Sequence, residues 1–145
     1  MKVVWSIGHS NRSISDFVAL LKENEIQVVG DVRRFPTSKW EWFKRENLEK
    51  ALRENGILYE YLGDLLGGFR KGGYERHMKT EAFKSGIERL LELAEGRRVA
   101  IMCAERIVFR CHRRIISRYL QQFGVKVIQI LDHCNCFELR ILPPK

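Results

Sequence analysis

One short segment carries the densest group of reactive side chains in this sequence. It contains two thiols, a carboxylate and an imidazole, supplied by Cys103, Cys111, Glu105 and His112. A cysteine acts as a nucleophile in its thiolate form, which nearby positive charge stabilises. Guanidinium groups also match the oxygens of a phosphate in paired hydrogen bonds. The segment therefore predicts a reactive thiol beside an anion-binding site, because four arginines surround it: Arg106, Arg110, Arg113 and Arg114.

The elements on either side of this segment favour the same interpretation. The apolar run that ends at Cys103 is typical of a short buried strand, and helical periodicity from Cys111 onward predicts a helix that begins near Arg110 to His112. A helix N-terminus carries partial positive charge, which stabilises both a bound anion and a thiolate. The alternative is a solvated basic helix in which the two cysteines are small buried side chains.

Length and composition predict one soluble domain. The chain has 145 residues, of which 45% are hydrophobic and 30% charged, so it is neither disordered nor membrane-spanning in character. We predict a single domain over 1–145, with its core at about 3–132 and a C-terminal extension at 133–145. The first apolar run is broken at Ser6, so we expect no signal peptide, a cytoplasmic location and reduced cysteines.

The positive charge is concentrated in one part of this basic protein. The formal net charge is +8, and the stretch from Arg97 to Lys126 carries eight Lys or Arg residues against the single Glu105. Such a segment indicates an anionic partner, either a small molecule or a nucleic acid, and no membrane. Charge alone does not distinguish between the two anions. The oligomeric state is not predicted.

Apolar strands alternate with amphipathic helices along the chain. Ser13 and Thr80 are expected N-caps, and a further helix is expected from Lys44 to Asn55. This order is typical of a parallel sheet with helices on both faces, a three-layer sandwich of about five mostly parallel strands. The predicted strands are Lys2 to Ile7, Ile26 to Val32, Ile57 to Leu62, Arg98 to Cys103 and Val125 to Leu131.

Polar residues or glycines follow every predicted strand. In open parallel sheets, ligands bind beyond the carboxyl ends of the strands. We therefore predict one shared pocket at this edge. Its candidate catalytic residues are Cys111, His112, His9, Asp31, Glu105 and Cys103, and its candidate substrate-binding residues are Arg33, Arg110, Arg113, Ser10, Gly67 and Gly68.

Three other features are weaker signals. We predict no cofactor, because the soft ligands of His133-Cys134-Asn135-Cys136 lack the second ligand pair of most zinc sites, and a set formed by Cys103, Glu105, Cys111 and His112 has no standard metal spacing. The aromatic loop from Thr37 to Phe43 either covers one end of the core or stacks on bases. The glycine-rich stretch from Gly63 to Gly73 is expected to be a loop.

The motifs at the strand ends resemble a known family. They are Ser6-Ile7-Gly8-His9-Ser10, Asp31-Val32-Arg33 with Pro36 and Ser38, Leu66-Gly67-Gly68, and Cys103-Ala104-Glu105 with Cys111-His112-Arg113 eight positions after the first cysteine. This set is similar to the proteins grouped as domain of unknown function 488, over Val3 to Asp132. The resemblance implies an α/β domain with a polar site made by these motifs, and it implies no particular reaction. The chain departs from the family pattern at Ile107-Val108, where Asp-Pro is frequent, and at Gln129, where a histidine is frequent.

The sequence supports two functional hypotheses. The first is a small enzyme that acts on an anionic, phosphate-bearing substrate through a low-pKa thiolate, with His9 and His112 as proton carriers and arginines that hold the anion. The second is a non-catalytic nucleic-acid-binding module in which the basic helix and the aromatic loop contact backbone and bases.

Overall fold

The alternating strands and helices form one mixed sheet covered by helices in the computed structural model, which describes residues 2–68, 70–108 and 111–140. Within those residues the sheet has six strands, in the order β3-β2-β4-β1-β5-β6. The first five are parallel and β6 is antiparallel to β5. The strands are β1 (Val3–Gly8), β2 (Val28–Asp31), β3 (Leu58–Tyr61), β4 (Val99–Cys103), β5 (Lys126–Asp132) and β6 (Asn135–Glu138).

The helices begin largely where their capping residues predict. Ser13 accepts a hydrogen bond from the Asp16 amide, and Thr80 accepts one from the Phe83 amide. The predicted glycine-rich loop contains one short helix and precedes another, neither of which was predicted. The helices are α1 (Ile14–Glu23), α2 (Arg45–Glu54), α3 (Gly63–Leu66), α4 (Tyr74–His77), α5 (Glu81–Leu93) and α6 (Arg113–Gln122).

Two apolar clusters lie on opposite faces of the sheet. Helices α1 and α2 pack on one face against Trp5, Val29 and Met102, and α3, α5 and α6 pack on the other against Val4 and alternate strand residues. The predicted α/β three-layer sandwich is therefore confirmed, with a sixth strand at its edge.

The connections create a switch point at β4. Strands β1 and β2 lead to helices on one face, whereas β4, which lies between them, leads to α6 on the other face. The loops after β1 and β4 therefore diverge and leave a crevice at the carboxyl ends of these strands, which is where doubly wound sheets bind ligands.

Residues 133–138 correct the expectation of a C-terminal extension. Asn135–Glu138 pairs with β5, and Leu139 is buried in the core. The hairpin turn places Cys134 at a φ of 54°, a conformation that its residue type does not indicate. The remainder of the predicted extension, 141–145, lies outside the described residues.

The aromatic loop covers one end of the core. Trp40 and Trp42 are partly buried against the cluster on the α1 side, and the Trp42 indole donates to the Arg12 carbonyl at 2.9 Å. Among the helices that the structure describes, none is long and apolar enough to cross a bilayer.

Candidate functional site

A cavity of about 610 Å³ opens beyond the carboxyl end of β4. Strand β4 contributes Cys103, and the segment before α6 contributes Cys111 and His112. The loop after β2 forms the opposite wall. The lining residues are Arg33, Arg34, Phe35, Thr37, Gly68, Tyr74, Cys103, Ala104, Glu105, Cys111, His112, Arg114 and Ile115.

A buried arginine forms the floor beneath the two cysteines. Arg113 begins α6 and its side chain is completely buried. Its Nη1 donates to Ser6 Oγ at 2.6 Å and to Gln129 Oε1 at 3.3 Å, and its Nη2 donates to the Glu105 carbonyl. No described carboxylate forms an ion pair with this guanidinium. Its charge must therefore be balanced by another group, because an unpaired buried charge is costly.

The two thiols supply that balancing charge. Arg113 Nε lies 2.9 Å from Cys103 Sγ and 3.3 Å from Cys111 Sγ, and the two sulfurs are 3.2 Å apart. Cys111 Sγ also accepts the Arg113 backbone N–H at 3.3 Å. Cys111 thus receives the most donors, so we assign it as the thiolate and Cys103 as the thiol that donates to it.

Their pKa values move in opposite directions. The hydrogen bond from Cys103, followed by the charge and N–H groups of Arg113, lowers the pKa of Cys111 to about 6. The same bond to Cys111, with burial, raises the pKa of Cys103 well above its ordinary value. The pair therefore carries one proton and one negative charge at neutral pH.

His112 reaches the cavity as a neutral imidazole. Its Nε2–H donates to the Val32 carbonyl at 2.8 Å, which leaves Nδ1 unprotonated and facing Gly68. Burial lowers the pKa of His112 to about 4. This ring can accept a hydrogen bond from a ligand but holds no proton to donate near neutral pH.

A second buried network lies behind the cavity wall. Both Asp31 oxygens accept from the Arg33 side chain, at 2.9 and 2.7 Å, and Tyr59 donates to the same carboxylate at 2.5 Å. Arg33 Nη1 also donates to the Phe43 carbonyl at 2.7 Å and contacts His9 Nε2 at 3.4 Å. Arg33 is therefore held mainly by internal partners, and Asp31 is buried without touching the cavity.

His9 belongs to this network and not to the cavity surface. It is only 2% exposed, and its ring stacks on Phe43 with centroids 4.2 Å apart. Its Nδ1–H donates to the Ser10 carbonyl at 2.9 Å, so Nε2 accepts from Arg33. Burial lowers the pKa of His9 to about 4. A proton-carrying role toward a ligand in the cavity does not fit this environment.

The predicted site residues that the structure describes meet at one sheet edge, and six of these eleven line the cavity. The His9 amide bonds the Cys103 carbonyl at 2.9 Å, which joins the two networks. Arg110 lies outside the described residues. Gly67 packs against Arg34, and the Ser10 amide donates to the Ala104 carbonyl at 3.0 Å, but neither Gly67 nor Ser10 lines the cavity. The predicted residues that line the cavity are Cys111, His112, Cys103, Glu105, Arg33 and Gly68; those that do not are His9, Asp31, Arg113, Ser10 and Gly67.

Sequence reasoning missed several residues that complete the site. Ser6 and Gln129 are polar residues inside apolar strands, and they are direct partners in the β1–β5 register. Two buried polar side chains in adjacent strands were the available signal for a buried charge beside them. Arg34 and Tyr74 line the cavity, and no pattern in the sequence distinguished them from surface residues. Arg114, one of the four arginines expected around the cysteines, also lines it.

Comparison with known proteins places the chain in a family. A family model described as "Domain of unknown function DUF488" matches residues 13–120. The chain belongs to this family. No curated protein and no solved structure matches it. The expected resemblance to DUF488 is confirmed over the matched residues, which contain Asp31, Arg33, both cavity cysteines and Arg113.

The DUF488 match does not reach two partners of the buried arginine. Ser6 and Gln129 lie outside the matched residues, yet both accept from Arg113. Gln129 Oε1 accepts from the guanidinium of Arg113 at 3.3 Å. The amide oxygen accepts a hydrogen bond without adding a proton that could titrate.

The C-terminal soft ligands have protein partners. His133 Nε2 lies 2.5 Å from Asp16 Oδ1, and its Nδ1 contacts Glu23. Cys136 Sγ donates to Asn24 Oδ1 at 3.3 Å. Over 2–68, 70–108 and 111–140, no group of three or more His, Cys, Asp or Glu side chains is arranged to hold a metal ion.

Proposed function

We propose that this DUF488 protein is a thiol-dependent enzyme that acts on an anionic, phosphate-bearing substrate related to nucleotides or nucleic acids. Cys111 is its nucleophile. The observation that carries the proposal is the Cys111 sulfur itself, which receives three donors from Cys103 and Arg113 at the wall of the cavity. A completely buried arginine is costly, and its position beside Cys111 stabilises the thiolate form, as in cysteines that act as nucleophiles.

The charges around the cavity support an anionic substrate. Arg34 and Arg114 line it and are partly exposed, whereas Glu105 is the one acidic side chain among the lining residues. Arg113 donates to the Cys111 thiolate through its Nε and its backbone N–H, and Arg33 is paired with Asp31. Because Arg34 and Arg114 carry positive charge and line the cavity, we assign anion binding to them, and thiolate stabilisation to Arg113.

Each remaining group has a role that fits its protonation state. Cys111 attacks an electrophilic atom held beside the bound anion. His112 Nδ1 accepts a hydrogen bond from a substrate hydroxyl or amine and so orients it, because the neutral ring has no proton to give. Asp31, Arg33 and His9 are positioning residues that fix the loop after β2, which forms the facing wall.

Binding measurements on single arginine variants test this proposal. Wild type, Arg34→Ala and Arg114→Ala are titrated with nucleoside monophosphates and short single-stranded RNA at two salt concentrations. Arg118→Ala is the matched control, because Arg118 lies on α6 but does not line the cavity. A lost charged hydrogen bond is worth about 1.5 to 3 kcal/mol, so each cavity variant should bind roughly 10- to 100-fold more weakly, and the control within about twofold.

The same titrations address the nucleic-acid-binding alternative. A non-catalytic module would bind RNA far better than nucleotides, lose affinity steeply with salt, and lose similar amounts in all three variants. Equal losses across the variants would contradict the cavity assignment. The partial burial of Trp40 and Trp42 against the core favours the enzyme.

A further inference from the structure

The two cavity cysteines are close enough for chemistry with each other. Their sulfurs are 3.2 Å apart, whereas a disulfide bond is about 2.05 Å long. Both are free thiols in the structure. Cys103 ends β4 and Cys111 lies just before α6, so a small displacement on the α6 side brings the sulfurs to bonding distance.

The two thiols differ in access. Cys103 is only 3% exposed, whereas Cys111 is partly exposed and both border the cavity. A small oxidant that enters the cavity therefore reaches Cys111 more readily than Cys103. The more exposed thiolate, Cys111, can therefore attack the oxidant, and the more buried thiol, Cys103, lies close enough to react with it afterwards.

We propose that Cys111 and Cys103 form a hydroperoxide-reducing pair, in which Cys111 is oxidised first and Cys103 then closes an intramolecular disulfide. This activity goes beyond the enzyme proposed above. It uses the same sulfur but needs no anionic substrate.

The reaction balances with a hydroperoxide as the only oxidant. Cys111 releases its proton to the solvent when it ionises. Its thiolate attacks the terminal oxygen of the hydroperoxide, the O–O bond breaks, and the alkoxide leaves and takes up that proton from the solvent. The product is a sulfenic acid on Cys111. Cys103 then attacks Cys111 Sγ, the S–S bond forms, and the S–O bond breaks as hydroxide leaves with the proton released by Cys103. Overall, two thiols and one hydroperoxide give one disulfide, one alcohol and one water.

The buried arginine opposes the disulfide once it forms. In the reduced state Arg113 is balanced by the thiolate, and oxidation removes that charge while leaving the guanidinium buried. A pair whose reduced form is stabilised in this way is a strong oxidant, because its disulfide is readily reduced. A dithiol reductant should therefore regenerate the pair, so the oxidation is reversible.

Site-specific mass spectrometry of the oxidised protein tests the proposal. The reduced full-length chain is treated with one equivalent of hydrogen peroxide, alkylated and digested with trypsin. Cleavage after Arg106 and Arg110 separates the two cysteines into different peptides, so a disulfide between them appears as a linked pair. We expect this linked pair to be the main product and dithiothreitol to remove it. The rate of oxidation by hydrogen peroxide should be half-maximal near pH 6, where Cys111 ionises.

Two variants separate the steps. In Cys103→Ser, the reaction should stop at a sulfenic acid on Cys111, which a 1,3-dicarbonyl reagent labels. In Cys111→Ser, oxidation of Cys103 should slow by roughly tenfold or more, because Cys103 is only 3% exposed and a peroxide reaches it poorly. Circular dichroism confirms folding of both variants, and the wild-type measurement stands without them. The exposed Cys134 and Cys136 act as internal controls in each digest.

Two results would overturn the proposal. One is wild-type protein in which Cys111 is oxidised while Cys103 stays fully alkylatable. The other is faster oxidation of Cys134 or Cys136 than of Cys111. Neither result depends on the arginine titrations, so failure of this inference and failure of the proposed enzyme can be distinguished.

Discussion

Replacing Cys103 with alanine should raise the pKa of Cys111. The substitution removes the S–H group that donates to the Cys111 thiolate from 3.2 Å, and it leaves the donors from Arg113 in place. The thiolate then loses one of its three hydrogen bonds. Loss of a donor to an anion always favours the protonated form, so the direction is fixed by the geometry.

The size of the effect follows from the strength of that hydrogen bond. Hydrogen bonds to charged groups are worth about 1.5 to 3 kcal/mol, and about 1.4 kcal/mol corresponds to a pKa change of one. The pKa of Cys111, about 6 in the wild type, should therefore rise to about 7 to 8. It should stay below about 8.5, the ordinary cysteine value, because the charge of Arg113 remains.

The pH dependence of alkylation at Cys111 measures this change. Iodoacetamide reacts with the thiolate, and quantifying the modified peptide by mass spectrometry separates Cys111 from the other cysteines. Cys103→Ser is the matched control, because its hydroxyl keeps a donor at the same position and should give a smaller rise.

An unchanged pKa in Cys103→Ala would refute the shared proton. It would mean that Arg113 alone stabilises the thiolate and that the 3.2 Å approach of the two sulfurs has no energetic consequence. Equal rises in the alanine and serine variants would also contradict the argument, since the serine hydroxyl retains the hydrogen bond.

Three further predictions concern the buried charges. Arg113→Met should lower the free energy of unfolding, measured in urea, by about 3 to 5 kcal/mol, because several buried acceptors and a thiolate lose their donor. Arg118→Met, on the same helix, is the control and should change this free energy by less than about 0.5 kcal/mol. Asp31→Asn should cost about 3 to 5 kcal/mol and Tyr59→Phe about 1 to 2, because the first leaves a buried guanidinium without its counter-ion and the second removes one donor. His9 has a pKa of about 4 in the fold and about 6.5 when unfolded, so its contribution is complete above pH 6.5 and falls by about 3 kcal/mol as the pH drops to 4. His9→Gln should flatten this part of the stability profile, and a profile as steep as that of the wild type would show that other groups cause the loss.

The position of the candidate site was predictable because its polar residues lie at the carboxyl ends of the parallel strands. Apolar strands without alternation indicate a parallel sheet, and parallel strands bring their carboxyl ends to one edge. His9 follows such a strand, and Asp31 and Cys103 each lie at the end of one, so their convergence needed only the strand order. The two N-caps were also predictable, because Ser13 and Thr80 form their capping hydrogen bonds within the first turn of their own helices.

The roles of the arginines were not predictable from the sequence. Arg33 and Arg113 were expected to hold a ligand, yet their guanidinium groups bond to partners inside the protein. Arg34 and Arg114 line the cavity, although neither was among the predicted substrate-binding residues. A long side chain takes its direction from its partners, and those of Arg113 come from residues 6, 103, 105, 111 and 129. No local pattern connects positions so far apart.

The edge strand β6 escaped prediction for a different reason. Its turn uses Cys134 in a left-handed conformation, where hairpins usually carry Asn or Gly. All four residues of Asn135–Glu138 are exposed, so the strand has no buried face to produce an apolar alternation. Backbone pairing with β5 defines it, and backbone pairing has no signature in residue type.

The buried guanidinium groups of Arg33 and Arg113 differ in whether chemistry at the site can remove their counter-ions. Arg33 is paired with the carboxylate of Asp31, which cannot be oxidised. Arg113 is paired with a thiolate, which protonation or oxidation removes. The positive charge of Arg113 is therefore permanent, whereas its negative partner is lost when Cys111 is protonated or oxidised. In the enzyme that we propose, the substrate anion and the Cys111 thiolate would repel each other, so a step that consumes the thiolate should strengthen binding of the anion.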